Sequence, residues 1–376
     1  MKTSLRIGID GRSLGGGRTG VGTYTTNLLE QLLISDPTIS LLLVTNEALP
    51  EFPWLDAERV KVAQVQKHSA NNFLWSNLAL RRELARHTLD LFHSPGYTIP
   101  LRLSAPAVVT IHDVSYAAHP EWYPYRGGRL RNIWYRASAL RARCIITGSE
   151  FSRREIIRSY SLPPEAVVLI PYGVDRCRYR RIRDQEKLEG LRQRYRLRGD
   201  FLLFVGDIHP RRNVDRIIAA FDMIRDAGAR FSDLELVLIG RDLDRPIAMR
   251  VEDSHTGAVR RLGYVPEEDL PLFYSAAGAF VFPSLYEGFG LGVLESMACG
   301  CPVIVGRGTA CEEVAGTAGI AVDPWSARSI ADAAYGLLTD SELASRCSEL
   351  GRKRSEQFSW KKAAEETLVV YREVLS

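Results

Sequence analysis

Long apolar runs are absent from this sequence, so no segment is predicted to cross a bilayer, which takes about 20 apolar residues. A strong excess of one charge is also absent. The 49 Lys and Arg residues face 45 Asp and Glu residues, and this balance gives no reason to expect nucleic acid as a partner. The six cysteines form no Cys-x-x-Cys pair, the usual spacing of a zinc site. The first apolar run ends at Asp10 and is typical of a strand rather than a signal peptide, so we expect a cytoplasmic protein with reduced thiols.

Apolar, β-branched runs alternate with helical patterns along the chain. This alternation predicts parallel sheets with helices on both faces, and 376 residues suggest two domains rather than one. A charged stretch without strand character, residues 176–198, separates two such series. The predicted strands are residues 5–10, 40–45, 60–63, 89–93, 107–112, 144–148, 167–170, 201–206, 234–240, 279–282, 303–305 and 319–322. The clearest predicted helices are residues 22–34, 72–86, 151–159, 213–227 and 360–374.

The second series contains a turn suited to binding a phosphate. The apolar run 279–282 leads to Glu287 and three alternating glycines, and a helical pattern then begins near Leu291 and stops at Gly300. Free backbone N–H groups and the helix dipole both face such a turn, and glycine lets a ligand approach the backbone. Glu287 lies in the turn and Glu295 within the helix, so two carboxylates can reach hydroxyl groups on either side of a phosphate. A nucleotide sugar has that arrangement of groups.

The run from Glu287 to Gly300, with Glu295 eight positions after Glu287, resembles the signature of retaining family 4 glycosyltransferases of the GT-B fold. The resemblance implies two Rossmann-like, doubly wound domains that face a central cleft, with a C-terminal helix returning to the N-terminal domain. We place the N-terminal, acceptor-binding domain at residues 1–175, the nucleotide-sugar domain at 176–357 and the returning helix at 358–376. The alternative is an ordinary strand–turn–helix in which Glu295 is a solvated helix residue.

The resemblance also implies roles for individual residues. The catalytic candidates are Glu287, His112 and Arg212. Glu287 would bind the donor sugar, Arg212 the diphosphate and Glu295 the ribose, while His112 would contact the sugar rather than act as a general base. The further donor-binding candidates are Gly20, Gly22, Gly206, Arg211, Gly240, Tyr264, Val265, Gly288, Phe289, Gly290 and Leu291. The acceptor-binding candidates are Asp113 and Tyr116.

Two positions depart from the family pattern. Many members carry an Arg after the strand-end glycine, where this sequence has Asp207, and a Lys six residues after that glycine, where it has Arg212. A guanidinium can hold phosphate oxygens bidentately, so we expect the diphosphate to rest on Arg212, Arg211 and backbone amides.

A second pattern points to a metal but has no support elsewhere. Asp242-Leu243-Asp244 copies the Asp-x-Asp of metal-dependent glycosyltransferases. The sequence shows no other source for the several oxygen ligands of a hard metal, so we expect no metal and no cofactor.

A basic segment extends from Arg126 to Arg143 without an acidic residue and is interleaved with aromatic residues such as Trp134. This composition is typical of a surface helix that contacts anionic lipid or a pyrophosphate-linked acceptor. It would place the protein peripherally at the cytoplasmic face of the inner membrane. The alternative is a solvated basic helix with Trp134 packed inward.

The resemblance to family 4 implies a hexosyltransferase that retains the anomeric configuration and acts on a nucleotide-sugar donor. The residues around His112 and the run Pro210-Arg211-Arg212-Asn213 resemble bacterial mannosyltransferases of polysaccharide and O-antigen assembly. We therefore expect GDP-mannose as donor and a glycan or lipid-linked glycan as acceptor, with another donor such as a UDP-sugar left open.

Three other functions agree less well with the sequence. A nucleotide-sugar epimerase does not fit the residues around the two glutamates. A nicotinamide dehydrogenase would need Gly-x-Gly-x-x-Gly after the first strand together with an acidic residue about twenty positions on. A catalytically inactive homologue that serves as a partner subunit is favoured only by Asp207.

Overall fold

The computed structural model describes residues 4–15, 19–66, 71–123, 126–241 and 257–376. The chain divides into two compact units. The first unit comprises Met1–Gly173 and Ser359–Ser376, the second comprises Val174–Phe358, and each holds one parallel sheet. The predicted α/β class, with two Rossmann-like sheets and intervening helices, is confirmed.

The sheet of the first unit has seven strands in the order β3-β2-β1-β4-β5-β6-β7. Its central strands are buried along their whole length, as expected of a parallel sheet covered on both faces. The strands are β1 (Arg6–Asp10), β2 (Ser40–Thr45), β3 (Val60–Gln64), β4 (Leu91–Ser94), β5 (Ala107–Thr110), β6 (Cys144–Thr147) and β7 (Val167–Leu169). The helical segments are Gly20–Ser35, Asn72–Leu74, Trp75–Leu80 (π-helical), Arg81–Leu84, Ser115–Ala118, Arg126–Arg141, Glu150–Tyr160 and Trp360–Leu375.

The last helix, Trp360–Leu375, belongs to the first unit and packs against Gly20–Ser35. Ser359 begins it, because the serine side chain accepts a hydrogen bond from the backbone N–H of Lys362. Its Tyr371 hydroxyl lies 2.6 Å from Nδ1 of His93 in the core of the unit. The chain just before Val174 passes so close to this helix that a Cβ on Gly173 would lie 2.1 Å from the backbone nitrogen of Trp360. Only glycine permits that approach.

The sheet of the second unit has six strands in the order β10-β9-β8-β11-β12-β13. This order makes β8 the neighbour of both β9 and β11, so the loops that follow these three strands emerge side by side. The strands are β8 (Phe201–Val205), β9 (Glu235–Ile239), β10 (Val259–Gly263), β11 (Ala279–Phe282), β12 (Val303–Gly306) and β13 (Ile320–Val322). The α-helices are Gln185–Tyr195, Val214–Asp226, Leu270–Ala276, Leu291–Ala298, Ala310–Ala315, Ala327–Thr339 and Ser341–Ser355.

Two elements differ from the sequence prediction. Strand β10 was missed because Arg260 and Arg261 interrupt its apolar pattern, which an edge strand with partly exposed side chains tolerates. The charged stretch 176–198, placed in the second domain without a predicted helix, contains the helix Gln185–Tyr195, which Asp184 begins as N-cap. Arg194 from this helix binds the buried carboxylate of Asp269 at 2.7 Å, so the stretch is part of the second unit.

Candidate functional site

The glycine-rich turn after β11 has a backbone that glycine alone adopts easily. Gly290 has φ 105° and immediately precedes the helix Leu291–Ala298. A Cβ on Gly290 would also lie 2.9 Å from the Sγ atom of the buried Cys311. The helix therefore starts at Leu291, as predicted, with its first backbone N–H groups facing the turn.

Glu287 and Arg212 form an ion pair at the ends of two adjacent strands. Arg212 comes from the single turn Pro210–Arg212 after β8, and Glu287 from the turn after β11. Both side chains are largely buried, with 18% of Arg212 and 8% of Glu287 exposed. The Arg212 guanidinium lies 4.9 Å from the ring centroid of Phe282, the last residue of β11. A cation and a carboxylate that are 75 positions apart in sequence are thus in contact.

Asn213 links the loops of this region by hydrogen bonds and was not assigned to the site from the sequence. Its backbone is left-handed, with φ 63°, and its side-chain amide donates to the carbonyl oxygens of Pro283 at 3.0 Å and Pro324 at 2.5 Å. The neighbouring Arg211 accepts a hydrogen bond at its carbonyl from the backbone N–H of Leu285 at 2.8 Å. The loops after β8, β11 and β13 are therefore hydrogen bonded to one another.

Glu295 lies one turn into the helix Leu291–Ala298 and is half-buried. Its Oε2 atom accepts a hydrogen bond of 3.3 Å from the hydroxyl of Tyr274, a fully buried residue. The carboxylate is thus anchored on one side by the protein. Phe289 and Gly288, the remaining members of the turn, are buried as well.

Asp207 and Arg241 form a second ion pair, at the ends of β8 and β9. Arg241 donates from Nη2 to Oδ2 of Asp207 at 2.7 Å and from Nε to Oδ1 at 3.2 Å. Burial alone would raise the pKa of Asp207, but the hydrogen bonds from Arg241 hold it below its usual value. Gly206 and Gly240 precede these residues, with φ 154° and 139°.

Two further candidates follow the edge strand β10. Tyr264 is 63% exposed, whereas Val265 is buried. The backbone N–H of Gly240 donates to the carbonyl of Gly263 at 2.7 Å, so the ends of β9 and β10 are hydrogen bonded beside these residues. An exposed aromatic ring next to Arg241 gives this end of the site a flat, partly apolar surface.

His112 in the first unit has both ring nitrogens hydrogen bonded within that unit. Nε2 lies 2.8 Å from the carbonyl oxygen of Pro95 and Nδ1 lies 2.7 Å from the hydroxyl of Tyr172. Because a carbonyl only accepts, Nε2 carries the proton and Nδ1 accepts from Tyr172. Burial lowers the pKa of His112 to about 4, which keeps the ring neutral at pH 7.

The other candidates of the first unit lie in two places. Asp113 is buried and accepts from the backbone N–H of Ser115 at 2.9 Å, while Tyr116 accepts from Nη1 of Arg131 at 2.6 Å. Gly20 and Gly22 form the start of the helix Gly20–Ser35, where a Cβ on Gly22 would lie 2.7 Å from the carbonyl oxygen of Ser13. Only Gly22 of the two is sterically required.

A cavity of about 890 Å³ lies within the first unit. Its lining combines the Asp10–Arg12 ion pair at the end of β1 with the aromatic residues Phe73, Tyr97 and Trp134. Arg12 also stacks over Trp75, with its guanidinium 5.1 Å from the ring centroid. Apart from Trp134, which belongs to the basic segment, the sequence had assigned none of these residues to a site, because they come from segments up to 124 positions apart.

Among the residues that the structure describes, no cluster of three or more His, Cys, Asp or Glu side chains is arranged to hold a metal ion. The Asp242-Leu243-Asp244 sequence lies outside the described residues. Within the same described ranges, none of the helices is both long and apolar enough to span a bilayer.

Comparison with known families matches both units. The "Glycosyltransferase Family 4" profile covers residues 18–178, and the "Glycosyl transferases group 1" profile covers residues 192–354. The chain is 33% identical over 288 residues to the O-antigen chain mannosyltransferase B of Escherichia coli. This alignment covers 75% of this chain and 74% of that protein. It is 26% identical over 313 residues to a D-inositol 3-phosphate glycosyltransferase of Jonesia denitrificans, covering 78% and 74% of the two chains.

Solved structures of similar fold extend over nearly the entire chain. Sucrose-phosphate synthase from Thermosynechococcus elongatus superposes with a TM-score of 0.80 at 22% identity, covering 98% of this chain and 99% of that chain. WaaG, a glycosyltransferase involved in lipopolysaccharide biosynthesis, superposes with a TM-score of 0.79 at 17% identity and the same coverage. Anabaena HepE in complex with UDP-glucose gives a TM-score of 0.78 at 16% identity, covering 98% and 100%. At these identities the likeness supports the fold.

Proposed function

The chain belongs to the group 1, family 4 glycosyltransferases of the GT-B fold, and we propose that it transfers mannose from GDP-mannose to a hydroxyl of a glycan or lipid-linked glycan. The observation that carries the proposal is the paired Arg212 and Glu287 beside the glycine-rich helix start. The choice of mannose rests on the mannosyltransferase relative. Another donor, such as a UDP-sugar, is the alternative.

The donor diphosphate would bind where positive charge and free N–H groups converge. Arg212 offers a guanidinium fork for phosphate oxygens, and the backbone amides of residues 288–291 face the same turn. As the glycosidic bond breaks, negative charge grows on the leaving diphosphate, and these fixed donors would stabilise it without a metal ion.

The two glutamates would act on the two sides of the diphosphate. Glu287, in the turn, would bind hydroxyls of the donor sugar and stabilise the positive charge that develops on the ring. Glu295, one turn along the helix and anchored by Tyr274, would accept hydrogen bonds from the ribose hydroxyls. In the first unit, His112 would pack against the sugar as a neutral ring, since its nitrogens already bind Pro95 and Tyr172.

We propose that the reaction retains the anomeric configuration by front-face displacement. The departing phosphate oxygen would accept the proton of the acceptor hydroxyl as the new bond forms. Glu287, the carboxylate proposed to bind the sugar, is paired with Arg212 and is not assigned as a covalent nucleophile of the kind found in retaining glycosidases. Proton NMR of the first product would distinguish the two stereochemical outcomes, and an inverted anomer would contradict this mechanism.

The test of the donor site is the thermal stability of the protein with GDP, UDP, ADP and dTDP, each with and without EDTA. A diphosphate at a hundredfold excess over its dissociation constant should stabilise the protein by about 2.7 kcal/mol. Stabilisation by GDP that EDTA leaves unchanged is the expected result. A shift with UDP alone would overturn the mannose assignment. No shift with any diphosphate would favour the inactive partner subunit.

A second proposal concerns the basic segment, which contributes the helix Arg126–Arg141. Leu130 and Ile133 on this helix are 60% and 64% exposed, and Phe73 on a neighbouring segment is 40% exposed and contacts Trp134 edge-on. Exposed apolar side chains between arginines, with no acidic residue in the helix, suit an anionic bilayer surface. We propose that this helix contacts the membrane that carries a lipid-linked acceptor.

Vesicle flotation tests this contact. The protein should float with vesicles of phosphatidylcholine and phosphatidylglycerol but not of phosphatidylcholine alone, and Leu130→Ser with Ile133→Ser should abolish flotation. Ile34→Ser is the matched control, because Ile34 is equally exposed, at 64%, on another helix of the same unit. Equal flotation of the control and the double variant would show that this helix is merely solvated.

A further inference from the structure

The ends of β8 and β9 are locked together around Asp207 and Arg241. The Arg241 side chain holds both carboxylate oxygens of Asp207, and its backbone N–H donates to the same carboxylate at 3.2 Å. The preceding glycines touch so closely that a Cβ on Gly240 would lie 2.1 Å from the carbonyl oxygen of Gly206. The pair is therefore fixed at one point of the sheet edge rather than joined by two freely moving side chains.

This point adjoins the arginine proposed to bind the diphosphate. A Cβ on Gly206 would lie 3.9 Å from Cζ of Arg212, and the charges of Asp207 and Arg212 interact. A lone carboxylate here would repel a diphosphate and compete with it for Arg212. Arg241 offsets that charge, and because its side chain is 60% exposed it stays within reach of a ligand.

From these contacts we propose that Arg241 binds the donor diphosphate and that Asp207 is a positioning residue that holds the guanidinium in place. The cation that the family pattern implies at the end of β8 would be supplied in this chain from the end of the neighbouring strand β9. The inference rests on the proposed function, because it concerns the same donor site. It gives Asp207 a role in an active enzyme, whereas the alternative hypothesis took this residue as a sign of an inactive homologue.

Calorimetric titration tests the proposal with whichever of GDP, UDP, ADP and dTDP stabilises the wild type most. Arg241→Ala should weaken binding of that diphosphate by about 10- to 100-fold, the loss expected when a hydrogen bond to a charged group is removed. Its monophosphate should lose less affinity. Arg328→Ala is the matched control, because Arg328 forms an exposed ion pair with Asp332 in the same unit and should bind the diphosphate normally.

Substitutions of Asp207 separate positioning from simple structure. Asp207→Asn should weaken binding in the wild-type background, since Arg241 loses its anchor. In the Arg241→Ala background the same change should tighten binding, since it removes a carboxylate left without its partner. Asp207→Arg combined with Arg241→Ala should restore most of the lost affinity. Melting temperatures would establish that each variant is folded.

Three results would overturn the inference. If Arg241→Ala bound the diphosphate within twofold of the wild type, Asp207 and Arg241 would be an ordinary surface ion pair with no role in donor binding. Equal effects of Asp207→Asn in both backgrounds would show that Asp207 does not act through Arg241. A wild type that binds none of the four diphosphates would overturn the proposed function itself, and this inference with it.

Discussion

Glu287 and Arg212 neutralise each other in the structure, although each is proposed to bind a different part of the donor. The Glu287 carboxylate therefore binds the same Arg212 guanidinium that the diphosphate would need. Donor binding would exchange one anion for another on Arg212 and release Glu287 toward the sugar. An ion pair this buried is sensitive to loss of one partner, because the other charge stays behind.

Glu287→Gln separates these roles. Turnover should fall by about 100-fold or more, because the charge that stabilises the sugar cation is gone. Affinity for the nucleoside diphosphate should stay the same or increase, since Arg212 loses its internal competitor. Steady-state kinetics and calorimetry measure the two effects. A tenfold loss of diphosphate affinity would instead mean that Glu287 supports the geometry of the phosphate site. Glu349→Gln, on the exposed surface of the same unit, controls for a general effect of losing a carboxylate.

At the level of secondary structure, the start of the helix Leu291–Ala298 depends on one backbone conformation. The left-handed φ of Gly290 turns the chain so that the first helical N–H groups face the turn. The sequence pattern of alternating glycines predicted the turn correctly. It did not tell which glycine the geometry requires, because that depends on Cys311, which approaches from another helix.

Gly290→Ala should destabilise the protein by about 1–3 kcal/mol, from strain at a positive φ and the clash with Cys311. It should also reduce stabilisation by a nucleoside diphosphate, because the helix start moves. Gly292→Ala is the matched control. This glycine lies inside the helix, a Cβ there would meet its nearest atoms at 3.5 Å, and alanine favours the helix. Equal melting temperatures and equal ligand shifts for the two variants would refute this account of Gly290.

On the scale of the whole molecule, the last helix and the ends of the first sheet share a buried polar core. His93 lies between Tyr371 of the last helix, at 2.6 Å, and Thr110 of β5, at 2.9 Å. Thr110 in turn contacts the hydroxyl of Tyr24 at 3.0 Å. Burial lowers the pKa of His93 to about 3, so this ring, like His112, is neutral in the folded protein.

Stability should therefore fall as pH decreases below about 6.5, the pKa of an unfolded histidine. The unfolded chain takes up protons that the folded chain refuses until pH approaches 4 for His112 and 3 for His93. Each ring contributes a slope of up to about 1.4 kcal/mol per pH unit in that window. Urea unfolding at pH 7, 6 and 5 measures the slope for the wild type and for His112→Gln. A slope that the substitution leaves unchanged would contradict a neutral, buried His112.

Local patterns in the sequence determined most of the fold. All twelve predicted strands are present within a few residues of their expected ends, because buried parallel strands are continuous apolar runs that can be recognised without knowing their neighbours. The strand that was not predicted, β10, lies at the edge of its sheet, where arginines are tolerated. The turn with Glu287, Gly290 and Glu295 could also be predicted from the sequence, because all its members lie in one short segment.

The contacts between distant residues were decided by tertiary structure. Arg212 meets Glu287 because β8 lies beside β11, and Asp207 meets Arg241 because β8 also lies beside β9. No local pattern specifies that strand order, which follows from how the helices pack across the sheet. The sequence by itself therefore determined which residue types stand at the strand ends. The order of the strands determined which of those charges pair, and so which of them a donor would have to displace.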